Sequence, residues 1–179
     1  MLITKEWLKS KSACTEGYEW SLKQKGFDKG IEVNKFLKLL VKDDRWPWAN
    51  WVIVRVMTRP QYLAYAIYAA EQVIGIYEKK YPNNKAPREA IEAAKNVLRD
   101  DTQANRYIAA VKRRAADAAA YAAADAAAAA YDAAYDAAYA AAYAAAYAAD
   151  AVDAVDAVDA RNKMRMKILN YGINLINQQ

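Results

Sequence analysis

Arginine and tryptophan residues are concentrated in one short stretch of the sequence, DDRWPWANWVIVR. Trp48 and Trp51 are three residues apart, and Arg55 follows Trp51 by four, so in a helix these residues share one face. Indole and guanidinium groups on one face suit the centre of a protein interface, or they can stack on a nucleobase. The alternative is that the tryptophans anchor the core. The candidate binding residues are Arg45, Trp46, Trp48, Trp51 and Arg55.

A second candidate, Arg88, follows Pro87 at the predicted start of a helix. The free backbone amides of a helix N-terminus already favour an anion, and an arginine there would add a charged donor. The alternative is an ordinary surface salt bridge. Either reading keeps Arg88 as a candidate ligand-binding residue.

The side chains that catalysis commonly uses are scarce. The sequence contains no histidine, which is the commonest general base and metal ligand, and only one cysteine, Cys14. Cys14 is interpreted as a buried thiol, and the paired acids Asp43 and Asp44 as helix caps. No glycine-rich phosphate loop occurs. We therefore predict no catalytic residue, no metal site and no cofactor, and the chain is interpreted as a protein other than an enzyme.

Hydrophobic spacing of three and four residues predicts an all-α fold, a single multi-helix bundle of about seven helices over residues 1–179. Three parts are expected: N-terminal helices over 1–101, an Ala-rich tract over 102–160, and a C-terminal helix from about Arg161 over 161–179. VIVRV is the only β-like run, and it is too isolated to form a sheet.

Helix starts are indicated by capping residues and prolines. We expect Thr4 to cap a first helix, Asn34 a third, and Asp101 or Thr102 the long tract. Thr58 with Pro60 and, further on, Pro87 open two more helices. A second helix is expected from about Ala13 to Lys25, ending at Gly26.

The Ala-rich tract has two different faces. Alanine fills 29 of the 46 residues between 115 and 160. At 100° per residue, every tyrosine and every aspartate up to Asp150 lies on one half of the helix, and the other half is alanine alone. We expect the Ala face to pack against the helices near 60–80 and 87–99, with a break between about 148 and 162. The aromatic face favours a homodimer through Tyr135, Tyr139 and Tyr143 over a tract that folds back within its own chain.

Charge is unevenly distributed along the chain. Residues 1–114 hold 22 Lys and Arg against 13 Asp and Glu, whereas residues 115–160 hold eight Asp and no cation. Eight aspartates on a chain of net charge +5 are too few for a nucleic-acid mimic, and KRR at 112–114 is only a weak signal for nucleic-acid binding. We predict neither a nucleic-acid partner nor a membrane span. The single cysteine and the absence of an apolar leader favour the cytoplasm.

The stretches SAC, DDRWPWANW and YPNNKAPREAIEAA, followed by the Ala-rich tract, resemble an all-α family of proposed immunity proteins found in bacteria and tailed phages. This resemblance implies a small protein that binds and neutralises a toxin or a defence component, and it carries over no catalytic residue. The expected partner is therefore such a protein. Two alternatives stay open: a sponge for a small anionic nucleotide held between helices by aromatic rings and arginine, and a purely structural phage accessory protein.

Overall fold

The regular structure is almost entirely helical, and the computed structural model describes residues 1–124 and 156–178. Within these residues the chain forms eight α-helices, one short 3₁₀ helix and two strands of two residues each. The all-α class is thus confirmed. Contacts divide the chain into two compact units, unit 1 (Met1–Val56) and unit 2 (Met57–Gln179), which are described separately. The interpretation of residues 1–179 as one domain stays a prediction, since two compact units can still fold together.

Unit 1 combines four helices with a minimal antiparallel sheet. Its elements, in chain order, are β1 (Leu2–Ile3), α1 (Lys5–Ser10), α2 (Thr15–Leu22), a 3₁₀ helix (Phe27–Lys29), β2 (Ile31–Glu32), α3 (Val33–Lys42) and α4 (Trp46–Val56). The strands pair Leu2 with Glu32 and Ile3 with Ile31. This sheet was not expected, because its two strands are too short to show alternation and are separated by most of the unit.

Local capping explains where the helices of unit 1 begin. Thr4 caps α1 as expected, because its hydroxyl accepts the backbone N–H of Trp7 at 3.2 Å. The prediction for α3 was wrong. The Glu32 carboxylate, and not Asn34, caps this helix by accepting the N–H groups of Asn34 and Lys35 at 2.8 and 3.1 Å. Pairing of β2 holds Glu32 in extended backbone just before the first turn, which places its side chain over those amides.

The core of unit 1 lies along α3, which packs against α4 and both strands. Phe36, Leu37 and Leu40 are buried as the helical spacing predicted, while Val41 is only half-buried. Phe27 from the 3₁₀ helix stacks on Phe36 with ring centroids 5.9 Å apart. A buried aromatic pair of this kind fixes α3 firmly enough to position the neighbouring α4.

Unit 2 consists, in its described part, of α5 (Arg59–Lys80), α6 (Ala86–Arg99), α7 (Gln103–Ala124) and α8 (Asp156–Asn177). Helix α5 packs against α6 and α8, and α6 packs against α7. Ile67, Ile74 and Ile91 are buried together between α5 and α6, and partly buried neighbours surround them, namely Leu63, Ala70, Tyr77 and Ala94. These residues belong to the apolar faces that the spacing predicted for both helices.

Three of the expected helix starts in unit 2 are confirmed. The Thr58 N–H donates to the Gln61 side chain at 2.9 Å in a capping box before α5, and Pro87 lies in the first turn of α6. The hydroxyl of Thr102 accepts the N–H of Asn105 at 3.2 Å before α7. Helix α8 already includes Asp156, five residues before the expected start at Arg161, so the end of the Val/Asp repeat belongs to this helix.

Several expectations concern residues outside the described part of the chain. Residues 125–155 hold most of the Ala-rich tract, including Tyr135, Tyr139 and Tyr143, so the packing of its Ala face and the tyrosine-mediated homodimer stay predictions. The expected break between 148 and 162 also falls largely there. Among the described helices, none is both long enough and apolar enough to cross a bilayer.

Candidate functional site

Trp51 and Arg55 form one half of the predicted binding face on α4. The guanidinium carbon of Arg55 lies 4.2 Å from the Trp51 ring centroid, and Arg55 Nη1 donates to the Trp51 carbonyl at 3.2 Å. Trp7 of α1 meets Trp51 edge to face, with centroids 5.9 Å apart and an angle of 85°. Arg55 is therefore held over a ring that is itself held by a second indole.

Arg45 and Trp48 repeat this arrangement at the other end of α4. The guanidinium carbon of Arg45 lies 4.8 Å from the Trp48 ring centroid. Trp48 contacts Trp20 at 6.0 Å, and Trp20 in turn contacts the buried Phe36 at 5.7 Å. A chain of aromatic rings thus connects the surface arginine with the core.

Asp43 and Asp44 hold indole groups and do not cap α4. The Trp20 Nε1–H donates to Asp43 at 2.9 Å, and the Trp46 Nε1–H donates to Asp44 at 2.5 Å. Asp44 has a φ of 56°, which turns the chain sharply between α3 and α4. The interpretation of this pair as caps for the next helix was wrong, because α4 begins at Trp46 and Arg45, not an aspartate, directly precedes it. Trp46 is thereby tethered to the turn between α3 and α4.

The tryptophans are neither core residues nor free surface rings. All five tryptophans of the chain are half-buried, and Arg45 is exposed. Each ring has its edge or one face against protein while part of it reaches the surface. Such rings keep their position without a ligand, so they lose little conformational freedom when a partner binds. Arg45 and the α4 residues Trp46, Trp48, Trp51 and Arg55 are together named the Arg–Trp surface.

The cations of unit 1 are not tied up in ion pairs with described residues. No Lys or Arg of Met1–Val56 forms an ion pair with any residue that the structure describes. In unit 2, by contrast, six cations are paired, including Arg59 with Asp101 and Lys112 with Glu89. Guanidinium groups carry five N–H donors, of which Arg55 uses one on Trp51. The two arginines thus keep donors that suit a carboxylate or a phosphate.

Three lysines extend this charge along the neighbouring helix. Lys35, Lys38 and Lys42 are exposed and lie at spacings of three and four on α3, so they share one face. Like charges at this spacing destabilise an isolated helix slightly. Lys35 also lies near the helix N-terminus, where the macrodipole disfavours a cation. An external anion would relieve both effects.

Arg88 is already engaged within unit 2. Its Nε and Nη2 donate to the two carboxylate oxygens of Glu78 at 2.8 and 2.6 Å. The hydrogen bond from Arg88 is the main cause that lowers the pKa of Glu78. An anion at the start of α6 would have to displace this carboxylate, and Arg88 belongs to unit 2 whereas the Arg–Trp surface belongs to unit 1. Its role in binding an anion stays a prediction.

The sequence interpretation missed Trp7 and Trp20 as parts of the site, and it misjudged Cys14. The thiol of Cys14 is exposed and accepts the N–H of Gly17 at 3.4 Å as the cap of α2, so it is not a buried thiol. One signal was available for the tryptophans, because all five lie within the first 51 residues of a 179-residue chain. Their pairing with α4 depends on tertiary contacts that spacing does not show.

Residues 1–59 match the family model described as the YdhT N-terminal domain. The matched range covers about a third of the chain, ends close to the boundary between the two units, and contains the whole Arg–Trp surface. No curated protein and no solved structure matches the chain. The likeness therefore concerns unit 1, and the resemblance to immunity proteins stays a prediction.

Proposed function

We propose that this chain is a non-catalytic binding protein that inhibits or sequesters an acidic protein partner, and that the Arg–Trp surface of unit 1 makes the contact. The observation that supports this most is the pair of stacks, Arg45 on Trp48 and Arg55 on Trp51, at 4.8 and 4.2 Å. A toxin or a defence component, as the family resemblance implies, is the class of partner. The sequence contains no histidine, which fits a role without catalysis.

The energetics of protein interfaces favour this composition. Tryptophan and arginine are the residues most enriched in binding hot spots, and removing one such anchor costs about 2 kcal/mol or more. Stacking on an indole keeps the guanidinium of Arg55 in one orientation, so less entropy is lost when it meets a carboxylate. Two such anchors lie on one helix of eleven residues, within the area that a standard interface covers.

Charge indicates the chemistry of the partner. Unit 1 carries 11 Lys and Arg against seven Asp and Glu, and three of these cations form the lysine face of α3, the helix that packs against α4. An acidic protein surface would be steered toward this unit and would supply carboxylates for both arginines. Because part of this attraction acts between exposed charges, binding should weaken as salt rises.

The nucleotide sponge uses the same residues in a different way. A nucleobase would stack on an indole while phosphates accept from the arginines. In this structure, however, Trp48 and Trp51 already carry a guanidinium and contact a second indole. A base would have to displace one of these groups, and this favours the protein partner. A purely structural phage accessory protein would need neither a protein partner nor a nucleotide at the Arg–Trp surface.

Charge reversal tests the proposal. Immobilised wild type, Arg45→Glu/Arg55→Glu and the control Lys163→Glu/Lys167→Glu are exposed to lysate of the bacterium that naturally expresses the chain or hosts its phage. The control makes the same charge change at exposed lysines of α8. We expect one protein to be retained by wild type and control and reduced at least tenfold with the α4 variant, whose melting temperature confirms folding. Equal retention by all three would contradict the proposal.

The nucleotide alternative has its own test. The melting temperature of the wild type is measured with a panel of mono-, di- and cyclic nucleotides. We expect no shift for any of them. A shift that disappears in Arg45→Glu/Arg55→Glu would establish the sponge and remove the protein-partner proposal.

A further inference from the structure

Helix α7 presents an apolar stripe that no described residue covers. Tyr107, Ile108 and Val111 are 71%, 47% and 42% exposed, although they lie within a little more than one helical turn. Ala104 and Ala115 are exposed on the same face. The opposite face of α7 packs on α6. Lys112, at one edge of the stripe, donates to Glu89 of α6 at 2.8 Å. We name this set, which no described residue covers, the α7 stripe.

The spacing of the stripe is that of a coiled-coil seam. Ala104, Ile108, Val111 and Ala115 follow one another at four, three and four residues, the alternation that keeps side chains facing a partner helix. The order is also the same in both directions: small, branched, branched, small. A two-fold interface requires a patch that complements itself, and a stripe with this symmetry meets that requirement.

We propose that α7 pairs antiparallel with α7 of a second copy of this chain. Ile108 would then lie against the partner's Val111, and Ala104 against the partner's Ala115. The alanines at both ends let the helices approach closely. Antiparallel helices also place their macrodipoles in the favourable relative orientation.

The residues beside the stripe support the antiparallel arrangement. Tyr107 and Arg114 occupy equivalent positions seven residues apart, and such flanking positions face each other across an antiparallel pair. Arg114 is exposed and forms no ion pair with a described residue. The phenol ring of Tyr107 would receive the partner's Arg114 in a cation–π contact. On the other flank, Asn105 faces the partner's Lys112, so no like charges oppose each other.

The size of the stripe sets the expected strength. A standard stable interface buries about 1,600 Å² in total, and one face of three helical turns is smaller than this. We therefore expect a weak, concentration-dependent dimer. This inference rests on α7 alone and is independent of the proposed function of unit 1.

Sedimentation equilibrium tests the association. The wild type is compared with Val111→Glu and with the control Ile76→Glu, which introduces the same charge at an exposed apolar residue of α5. We expect the wild type and control to dimerise with the same affinity and Val111→Glu to be at least tenfold weaker. A monomeric wild type over about a hundredfold range of concentration would overturn the proposal. So would a dimer that Val111→Glu leaves unchanged, as one formed through Tyr135, Tyr139 and Tyr143 would be.

Cross-linking tests the orientation. In a Cys14→Ser background, in which serine preserves the cap of α2, single variants Ala104→Cys and Ala115→Cys are treated with a short bismaleimide. We expect efficient cross-linking only when the two variants are mixed, because residue 104 faces residue 115 in an antiparallel pair. Cross-linking of Ala104→Cys with itself would show a parallel pair and overturn the proposal. Equal yields in all combinations would show random collision and overturn it as well.

Discussion

Arg55 lies over the indole of Trp51, four residues earlier on the same helix, and donates to the Trp51 carbonyl. The planar guanidinium makes both contacts at once, which fixes its orientation before any partner arrives. Lysine has the same charge but no planar fork. Replacing Arg55 by lysine therefore shows whether the arginine recognises a carboxylate through its planar guanidinium or only contributes charge.

Arg55→Lys should therefore weaken partner binding although it preserves the net charge. We expect retention of the partner to fall by about tenfold or more, the loss that one charge-assisted hydrogen-bonding anchor causes. The matched control Lys38→Arg, on the exposed face of α3, should bind at least as well as the wild type. If Arg55→Lys retained the partner fully, charge alone would account for the interaction.

Unit 2 should lose stability in alkaline solution because of Tyr65. This tyrosine is 1% exposed, and burial raises the pKa of its phenol far above the ordinary value of 10.0. A raised pKa in the folded state means that the unfolded chain releases the proton first. The contribution of the protonated Tyr65 phenol to the stability of unit 2 is therefore complete below pH 10 and is lost as the pH rises above this value.

Tyr65→Phe isolates this effect. The variant keeps the aromatic ring but has no phenol to ionise. Between about pH 9 and pH 11 its melting temperature should fall less steeply than that of the wild type. Identical slopes for both proteins would show that other groups, such as lysines, cause the alkaline transition.

Gly30 should tolerate substitution much less than Gly26. Gly30 has φ 79° and ψ 152°, and an added Cβ would lie 2.9 Å from Thr4 Cγ2. Gly26 also has a positive φ, of 84°, but a Cβ there would meet nothing within 4 Å. Gly26→Ala should cost about 1 kcal/mol of unfolding free energy, and Gly30→Ala about 3 kcal/mol or more. Urea unfolding of unit 1, followed by tryptophan fluorescence, measures both, and equal costs would contradict this account of the strand connection.

The Arg88–Glu78 pair should stabilise unit 2 in a pH-dependent way. Because the Arg88 hydrogen bond lowers the pKa of Glu78 below its ordinary value of 4.5, the contribution is present above that pH and is lost as the pH falls through the folded-state pKa. Glu78→Gln should melt at a lower temperature than wild type at pH 7, and the difference should shrink at lower pH. If the difference in melting temperature stayed constant with pH, the cause would be disturbed packing in Glu78→Gln and not the lost ion pair with Arg88.

The sequence predicted the features that depend on neighbouring residues. Thr4, Thr58 and Thr102 act within three residues of the amides or side chains that they bind, so their capping roles are readable from spacing alone. The all-α fold class followed from the spacing of hydrophobic residues at three and four positions. The stacks of Arg45 on Trp48 and of Arg55 on Trp51 also join residues three and four positions apart. Whether the five candidate residues bind a partner stays a prediction.

The missed features depend on residues far apart in the chain. Glu32 caps α3 only because β2 pairs with β1, some 30 residues earlier. Trp7 reaches Trp51 and Trp20 reaches Trp48 through the packing of unit 1. Asp43 and Asp44 had the composition of caps, but their carboxylates accept indole N–H groups. None of these partners is visible in helical spacing.

The most direct test of the proposed function is site-specific photo-cross-linking in the cells that naturally express the chain. A benzophenone amino acid replaces Lys42, three residues before Arg45, or Lys163 of α8 as the control. We expect one discrete adduct with an acidic protein from position 42 and none from position 163, and the adduct should disappear when Arg45→Glu/Arg55→Glu is added. The same adducts from both positions, or no adduct from position 42, would contradict binding through the Arg–Trp surface.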